Sequence, residues 1–312
     1  MLRVATIVSL ILLSLSPRLV ASQRFEYSEM AMGVRARIVL YAPDEAHAQD
    51  VARAAFDRIA YLEQVMSDYR PDSELMRLCA QAGGPPVRVG PELYYILRKS
   101  QDLSRRSGGA FDVTAGPLVR LWRAARKSGK LPEQAEIEAA RRLVGWQKVA
   151  LDPRARTVHL ETPGMQLDLG GIAKGYACEE AIRVLRKQGI ASALVEMGGD
   201  IVVSGPPPGT QGWVIVTSQI PNPKSEILSN CAVSSSGDTE QFVEIGGKRY
   251  SHVVDPKTGL GLTDRSAVTI IAPTGTLSDG LSTAVSVLGE ERGRTLLSQY
   301  RRVRAFIRRA AE

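Results

Sequence analysis

Histidine and cysteine are both scarce in this chain of 312 residues, which has three of each. The histidines are His47, His159 and His252. The cysteines are Cys79, Cys178 and Cys231. An odd number of cysteines at wide spacing excludes a disulfide framework and matches no zinc motif. The small number of histidines argues against a metal centre built from several imidazoles.

Aromatic residues make up only 5% of the chain, and glycine and proline are close to their average use. With 44% hydrophobic and 23% charged residues, the composition is globular and excludes the fibrous and disordered classes. The formal net charge of +7 is a modest excess. An arginine cluster near the C-terminus has no interleaved aromatic residues on which bases could stack, so nucleic-acid binding is not expected. The cluster comprises Arg301, Arg302, Arg304, Arg308 and Arg309.

Beyond the N-terminus, the sequence contains no apolar run long enough to span a bilayer. Residues 1–3 form a short region made positive by Arg3, and residues 4–15 form an apolar stretch too short to span a bilayer readily. Residues 20–22 then supply the small side chains that a signal peptidase recognises. We expect cleavage after Ser22, which leaves 23–312 as one exported, periplasmic domain; an uncleaved membrane anchor is the alternative. No cysteine lies near this site, so no lipid anchor is expected.

The spacing of apolar residues predicts both helices and strands along the rest of the chain. Helices are predicted at 44–66, 91–107, 118–127, 132–143, 175–188, 278–288 and 290–299. Strands are predicted at 25–41, 149–152, 157–160, 193–196, 201–203, 213–217, 231–235 and 268–272. Because strands and helices are interspersed without strict βαβ alternation, we expect a layered α+β fold on a largely antiparallel sheet.

The segment from Asp168 to Gly175 is a candidate phosphate-binding turn. An apolar strand ends at Leu167 and glycines lead into a helix, so backbone N–H groups would face an anion. Lys174 would add positive charge, Asp168 would bond a base or ribose, and a carbonyl of the turn would face a cation. The segment matches neither a Walker A loop nor GxGxxG, and a tight strand–helix turn is the structural alternative.

The segment from Ser278 to Thr283 brings a carboxylate and a hydroxyl to one helical face. Asp279 and Thr283 are four residues apart, so their side chains point the same way. These hard oxygen ligands suit Mg²⁺, which keeps other positions for water and phosphate. The alternative is a capped helix start with Asp279 near the positive end of the dipole.

Two further segments carry candidate site residues. In Lys248 to Gly259, a strand reaches His252 and a turn follows, which makes this histidine a candidate general base or a structural residue beside the turn. In the second segment, glycines precede Phe111 and Asp112, an arrangement that allows close approach to a flat ligand. The structural alternative there is a helix C-cap followed by a buried Phe111.

Together and in order, these segments resemble the ApbE family. The matching segments are MG at 32–33, SDYRPDSEL at 67–75, GAFD at 109–112, DLGGIAKG at 168–175, EMGGD at 196–200, SSGD at 235–238, SHVVDPKTG at 251–259 and APTGTLSDGLST at 272–283. The resemblance covers roughly residues 28–290. It implies a T-fold-like architecture with FAD in a cleft between lobes.

The resemblance also implies a set of ligand-binding residues. The residues implied for FAD are Met32, Tyr69, Ala110, Phe111, Asp112, Asp168, Lys174 and His252. The residues implied for Mg²⁺ are Gly171 through its carbonyl, Asp279 and Thr283. Ser282 stands where some relatives carry a second acid, so Asp279 is the only carboxylate expected on the ion.

The activity implied by the resemblance is Mg²⁺-dependent transfer of FMN from FAD to a Thr or Ser hydroxyl of an acceptor protein, with AMP as the leaving group. Asp279 and His252 would be the catalytic residues. The acceptor would be a membrane or periplasmic redox protein, such as a flavin-carrying electron-transfer subunit. Two alternatives remain: an FAD pyrophosphatase that releases FMN and AMP, and an exported flavin-binding protein without catalysis.

Overall fold

A computed structural model describes residues 22–218, 224–237, 242–264 and 266–309. The predicted export signal at 1–22 lies outside these ranges except for its last residue, and so does Asp238 of the SSGD segment. In the part of the chain that the structure describes, no helix combines the length and apolar character needed to cross a bilayer.

The described residues form strands and helices interspersed along the chain. The strands are β1 Gln23–Ala31, β2 Val34–Ala42, β3 Val87–Arg88, β4 Val149–Asp152, β5 Thr157–Leu160, β6 Ala193–Met197, β7 Asp200–Val203, β8 Trp213–Ser218, β9 Lys224–Leu228, β10 Cys231–Gly237, β11 Phe242–Ile245, β12 Lys248–Ser251, β13 Ser266–Ala272 and β14 Arg304–Arg309. The helices are α1 Glu45–Met66, α2 Glu74–Cys79, α3 Pro91–Arg106, α4 Gly116–Ser128, α5 Gln134–Leu143, α6 Ala173–Lys187 and α7 Gly275–Leu297.

The central sheet has the strand order β1-β2-β6-β7-β10-β13-β14, and every neighbouring pair is antiparallel. A three-stranded sheet β3-β5-β4 and two ribbons, β8-β9 and β11-β12, surround it. The predicted α+β fold with a largely antiparallel sheet is confirmed.

Helix starts follow local capping chemistry. The Asp44 carboxylate accepts from the His47 backbone N–H at 2.9 Å and begins α1, as the sequence predicts. Pro91 begins α3, a position where its missing N–H costs nothing. The Thr274 hydroxyl caps α7, so this helix begins three residues before the predicted start at 278.

The two faces of the central sheet are covered by different layers. On β2, Ile38 and Leu40 point into the main core beneath α1, α6 and α7, while the intervening Val39 points to the opposite face. That opposite face is covered by the β8-β9 ribbon, through Trp213 and Leu228. The sheet is therefore the middle layer of three.

A smaller apolar cluster joins α4, α5 and the β11-β12 ribbon. The Trp122 ring lies 4.9 Å from the Tyr250 ring, and its Nε1–H donates to the Gly259 carbonyl at 2.8 Å. These contacts hold the 251–259 segment against α4.

The backbones of α6 and α7 come into contact. A Cβ added to Gly175 would lie 2.1 Å from the Gly275 carbonyl oxygen, and one added to Gly275 would lie 2.0 Å from that of Gly175. Only glycine at both positions permits this approach. The crossing brings the first turns of the two helices together.

Near the C-terminus, the structure differs from one prediction and contains one strand that the sequence did not predict. The helices predicted at 278–288 and 290–299 form one element, α7, interrupted at Gly289, whose φ of 74° breaks the helical geometry. The arginine-rich end forms β14, which pairs with β13 at the sheet edge. Of the cysteines, Cys79 and Cys178 are buried thiols and Cys231 is half-buried.

Candidate functional site

The turn from Asp168 to Gly171 connects the preceding chain to α6. One Asp168 carboxylate oxygen accepts from the Gly170 N–H at 2.7 Å, and the other accepts from Arg123 at 2.8 Å. Burial, reinforced by the negative charge of Asp68, raises the pKa of Asp168, and Arg123 opposes this shift. The Asp168 carboxylate is therefore held in one orientation by the Gly170 N–H and by Arg123, which lies on α4.

Arg123 also supports Tyr69. Its guanidinium carbon lies 4.2 Å from the centre of the Tyr69 ring, and it forms an ion pair with Asp68. The Tyr69 side chain is 75% exposed, so its aromatic surface is presented to solvent on a fixed support. Sequence reasoning assigned no role to Arg123, because its partners lie 45 and 55 residues away.

Lys174 is half-buried and lies beside two buried carboxylates, those of Asp200 and Asp279. Its Nζ is 3.0 Å from an Asp200 oxygen, 3.9 Å from an Asp279 oxygen and 3.1 Å from the Gly170 carbonyl oxygen. The same Asp279 oxygen accepts from the Gly175 N–H at 3.0 Å. We call Lys174, Asp200 and Asp279 the α6–α7 cluster, since the crossing of these helices brings Asp279 to Lys174.

The α6–α7 cluster carries one positive and two negative formal charges. Burial, followed by the negative charge of Asp200, raises the pKa of Asp279 to about 7, against the opposing effects of Lys174 and the Gly175 N–H. Burial alone would lower the pKa of Lys174, but the two carboxylates outweigh it and raise that pKa. The cluster therefore favours a further cation beside Asp279.

The three residues predicted for Mg²⁺ converge at this point. Thr283 follows Asp279 by one turn of α7, and a Cβ added to Gly171 would lie 2.8 Å from the Thr283 hydroxyl oxygen. Carboxylate, hydroxyl and carbonyl oxygens form a donor set that fits a hard divalent cation. Ser282 donates to the Asp279 carbonyl at 2.8 Å. Across the described ranges, no three His, Cys, Asp or Glu side chains group as a metal cluster.

The segment at Ala110 to Asp112 lies next to the Asp168 turn, because the Asp168 N–H donates to the Val113 carbonyl at 2.8 Å. Ala110 and Phe111 are buried. The Asp112 carboxylate accepts from the Thr114 hydroxyl at 2.7 Å and from the Trp146 N–H at 2.9 Å. Burial raises the pKa of Asp112 against these hydrogen bonds. The carboxylate thus ties two loops together, and the burial of Phe111 agrees with the structural alternative for this segment.

A cleft of about 570 Å³ joins this segment to the turn after His252. Its lining includes Gly109, Asp112, Trp146, Pro256 and Lys257. Its volume is within the range of small-molecule sites. His252 itself is half-buried, directly after β12. His47 lies in the first turn of α1, and His159 lies in β5.

Met32 forms the turn between β1 and β2 together with Gly33. Both residues have left-handed backbone, with φ of 49° and 75°, as a two-residue hairpin of this type requires. This conformation is uncommon for methionine. The Met32 N–H donates to the Glu63 carboxylate at 3.0 Å, which fixes the turn against α1.

Asp200 is the residue of the α6–α7 cluster that sequence reasoning left without a role. The EMGGD segment was part of the family resemblance, and a carboxylate directly after two glycines at a strand start was the available signal. Its contact with Lys174, 26 positions earlier, is made only by the fold.

Comparisons with known proteins agree with this architecture. The ApbE family model matches residues 32–307. The chain is 34% identical to an FAD:protein FMN transferase of Treponema pallidum over 88% of this chain and 82% of the relative. It is 32% identical to one of Klebsiella pneumoniae over 88% and 86%.

Solved structures show the same fold. The flavin transferase ApbE from Vibrio cholerae superposes with a TM-score of 0.83 at 29% identity, covering 92% of this chain and 93% of that one. The apo flavinyl transferase ApbE of Pseudomonas stutzeri gives 0.84 at 29% identity, covering 94% and 93%. The architecture is thus that of solved flavin transferases. The chain belongs to the ApbE family, and the resemblance seen in its sequence is confirmed.

Proposed function

We propose that this protein transfers FMN from FAD to a Thr or Ser hydroxyl of an acceptor protein, in an Mg²⁺-dependent reaction that releases AMP. The observation that carries the proposal is the convergence of Asp279, Thr283 and Gly171 beside Lys174. The curated relatives are named FAD:protein FMN transferases, which supports FAD as the substrate proposed for this site.

The metal would be held by the Asp279 carboxylate, the Thr283 hydroxyl and the Gly171 carbonyl. When bound, Mg²⁺ supplies charge neutralisation at a phosphoryl centre. Lys174 would bind a phosphate oxygen from the turn at Gly170. Tyr69, supported by Arg123, would present its ring to a flat group of FAD.

In the proposed reaction, the acceptor hydroxyl oxygen forms a bond to the FMN-side phosphorus, and the bond from that phosphorus to the bridging oxygen breaks. AMP leaves with the bridging oxygen. The hydroxyl proton passes to His252, acting as general base. Alignment of the nucleophile and neutralisation of phosphoryl charge account for most of such catalysis.

The test uses purified protein with FAD, Mg²⁺ and a redox domain that carries a target Thr or Ser. We expect the mass of the acceptor to increase by one FMN phosphoester and AMP to be released in equal amount. AMP release without acceptor would instead indicate an FAD pyrophosphatase. Unchanged FAD after long incubation would indicate a flavin-binding protein without catalysis and overturn the proposal.

We further propose that residues 1–22 direct export and that the acceptor is a membrane or periplasmic redox protein. The charged, apolar and small-residue pattern of this segment supports the proposal. N-terminal sequencing of the protein from a periplasmic fraction should give Gln23 as the first residue. Retention of Met1 in a membrane fraction would indicate an anchor.

A further inference from the structure

Asp200 is a buried acid beside the proposed metal site. It begins β7, immediately after Gly198 and Gly199, whose left-handed backbone closes the hairpin from β6. Only 3% of the residue is exposed. A buried carboxylate at a strand start needs a partner, and that partner is the ammonium group of Lys174 at 3.0 Å.

The geometry separates the roles of the two acids in the α6–α7 cluster. Lys174 is 0.9 Å closer to Asp200 than to Asp279, at 3.0 Å against 3.9 Å. It also donates to the Gly170 carbonyl oxygen at 3.1 Å. Asp279 therefore makes its closest contact with the Gly175 N–H at 3.0 Å, which leaves most of its carboxylate for another ligand.

We propose that Asp200 is a positioning residue for the metal site: it holds and neutralises Lys174, and so keeps Asp279 available to a divalent cation. This inference rests on the proposed function, because it assigns the cation to Asp279. It gives Asp200 no contact with the metal or the substrate.

The reason is electrostatic. An ammonium group 3.9 Å from an oxygen of the carboxylate that would bind the cation repels a divalent ion unless a negative charge offsets it. Without Asp200, the remaining carboxylate within 4 Å of the Lys174 ammonium among the described residues would be that of Asp279, and pairing with it would compete with the metal. Residues that orient metal ligands typically contribute about 10- to 100-fold to metal affinity.

The test measures binding of Mn²⁺, a spectroscopic probe for Mg²⁺, to the FAD-free protein by electron paramagnetic resonance. We expect Asp200→Asn to weaken Mn²⁺ binding about 10- to 100-fold. The matched control is Glu180→Gln on α6, where a buried acid pairs with Arg58 and lies outside the cluster. This control should lose thermal stability without losing Mn²⁺ affinity.

The same substitution in a Lys174→Met variant shows whether Asp200 acts on the cation through Lys174 or attracts the cation directly. In Lys174→Met there is no ammonium to hold, so adding Asp200→Asn should change Mn²⁺ affinity by less than about threefold. Equal weakening in both backgrounds would mean that Asp200 attracts the cation itself, and would overturn the positioning role. Unchanged affinity of folded Asp200→Asn in the wild-type background would overturn it as well.

Failure of this inference is distinct from failure of the proposed function. Mn²⁺ affinity requires neither FAD nor an acceptor, whereas flavin transfer requires both. If the affinities change as expected but the acceptor gains no flavin, the positioning role stands and the transferase proposal fails. If the wild-type chain binds no Mn²⁺, the assignment of the cation to Asp279 fails together with this inference.

Discussion

The two ends of the candidate site are built in different ways. At one end, Lys174 and Asp279 lie on helices whose backbones touch at Gly175 and Gly275, so the charged atoms are fixed by the main core. At the other end, His252 lies on a segment held to α4 by side chains, chiefly Trp122. Groups on packed helices are positioned more accurately than groups on loops.

This difference suggests a division of labour. The proposed phosphate and metal site needs charges held in place before the substrate arrives, and the helix crossing would provide this. The proposed proton acceptor must meet the hydroxyl of a separate protein, and a loop would be able to adjust to that partner. Substitutions at both ends of the site, and the pH dependence of metal affinity, test this contrast.

Asp279→Ala should abolish flavin transfer while FAD binding largely persists. It removes the only carboxylate proposed for the ion, whereas the residues proposed for the flavin and adenosine lie on other segments. Turnover with saturating FAD and increasing Mg²⁺, together with FAD affinity from fluorescence, measures both effects. Wild-type turnover of a folded variant at limiting Mg²⁺ would show that the ion is bound elsewhere.

His252→Ala should lower turnover about 10²- to 10⁴-fold, the usual contribution of a placed general base. The acid limb of the pH–rate profile should flatten between about pH 5 and 8, because the proposed general base is no longer present. The kinetics should be recorded at saturating FAD and Mg²⁺. An increase in the apparent KM for FAD with the acid limb unchanged would reduce His252 to a flavin contact.

Gly275→Ala should destabilise the fold by about 1–3 kcal/mol, since the new Cβ would lie 2.0 Å from the Gly175 carbonyl oxygen. Forcing α6 and α7 apart should also weaken Mn²⁺ binding. Urea unfolding and Mn²⁺ titration measure the two effects. Gly84→Ala is the control: its Cβ would meet nothing closer than 3.1 Å, and metal affinity should not change. Equal stability and equal Mn²⁺ affinity of the two variants would show that the close approach of α6 and α7 is not needed for either property.

Mg²⁺ affinity should fall about tenfold per pH unit below pH 7, because the pKa of Asp279 in the metal-free protein is raised to about 7 and the metal needs the carboxylate. The free energy of unfolding of the metal-free protein depends on pH in the opposite direction. A raised carboxyl pKa means that the folded state prefers the protonated acid, so this group's contribution to metal-free stability declines as pH rises through 7. Calorimetric titrations from pH 5.5 to 8 test the first statement. An affinity independent of pH would contradict it.

Local signals predicted the helices well and the strand partners less well. Capping by Asp44 and the proline at 91 identify helix starts from a few adjacent residues. The edge strand β14 was missed because its stability comes from pairing with β13, and its arginines resemble a solvated surface. The short helix α2, begun by the Ser73 cap, was missed because it is only 6 residues long.

The same distinction applies to the site. The motifs at Asp168 and Asp279 were visible in the sequence because each combines glycines or oxygen ligands at short spacing. No local pattern predicted their meeting, which was implied only by the family resemblance, since it depends on the crossing at Gly175 and Gly275, 100 positions apart. Arg123 and Asp200 were missed for the same reason: neither belongs to a local pattern with the group that it contacts.

The position of the tryptophans gives the protein an optical reporter. Trp146 lines the cleft beside Asp112, whereas Trp213 lies in the apolar layer on the far face of the central sheet. Flavins absorb where indoles emit, so a flavin in the cleft should quench Trp146 more than Trp213. In a Trp146→Phe variant the quenching should be smaller. In the unmodified protein, the arrival and departure of the flavin can therefore be followed in real time without any label.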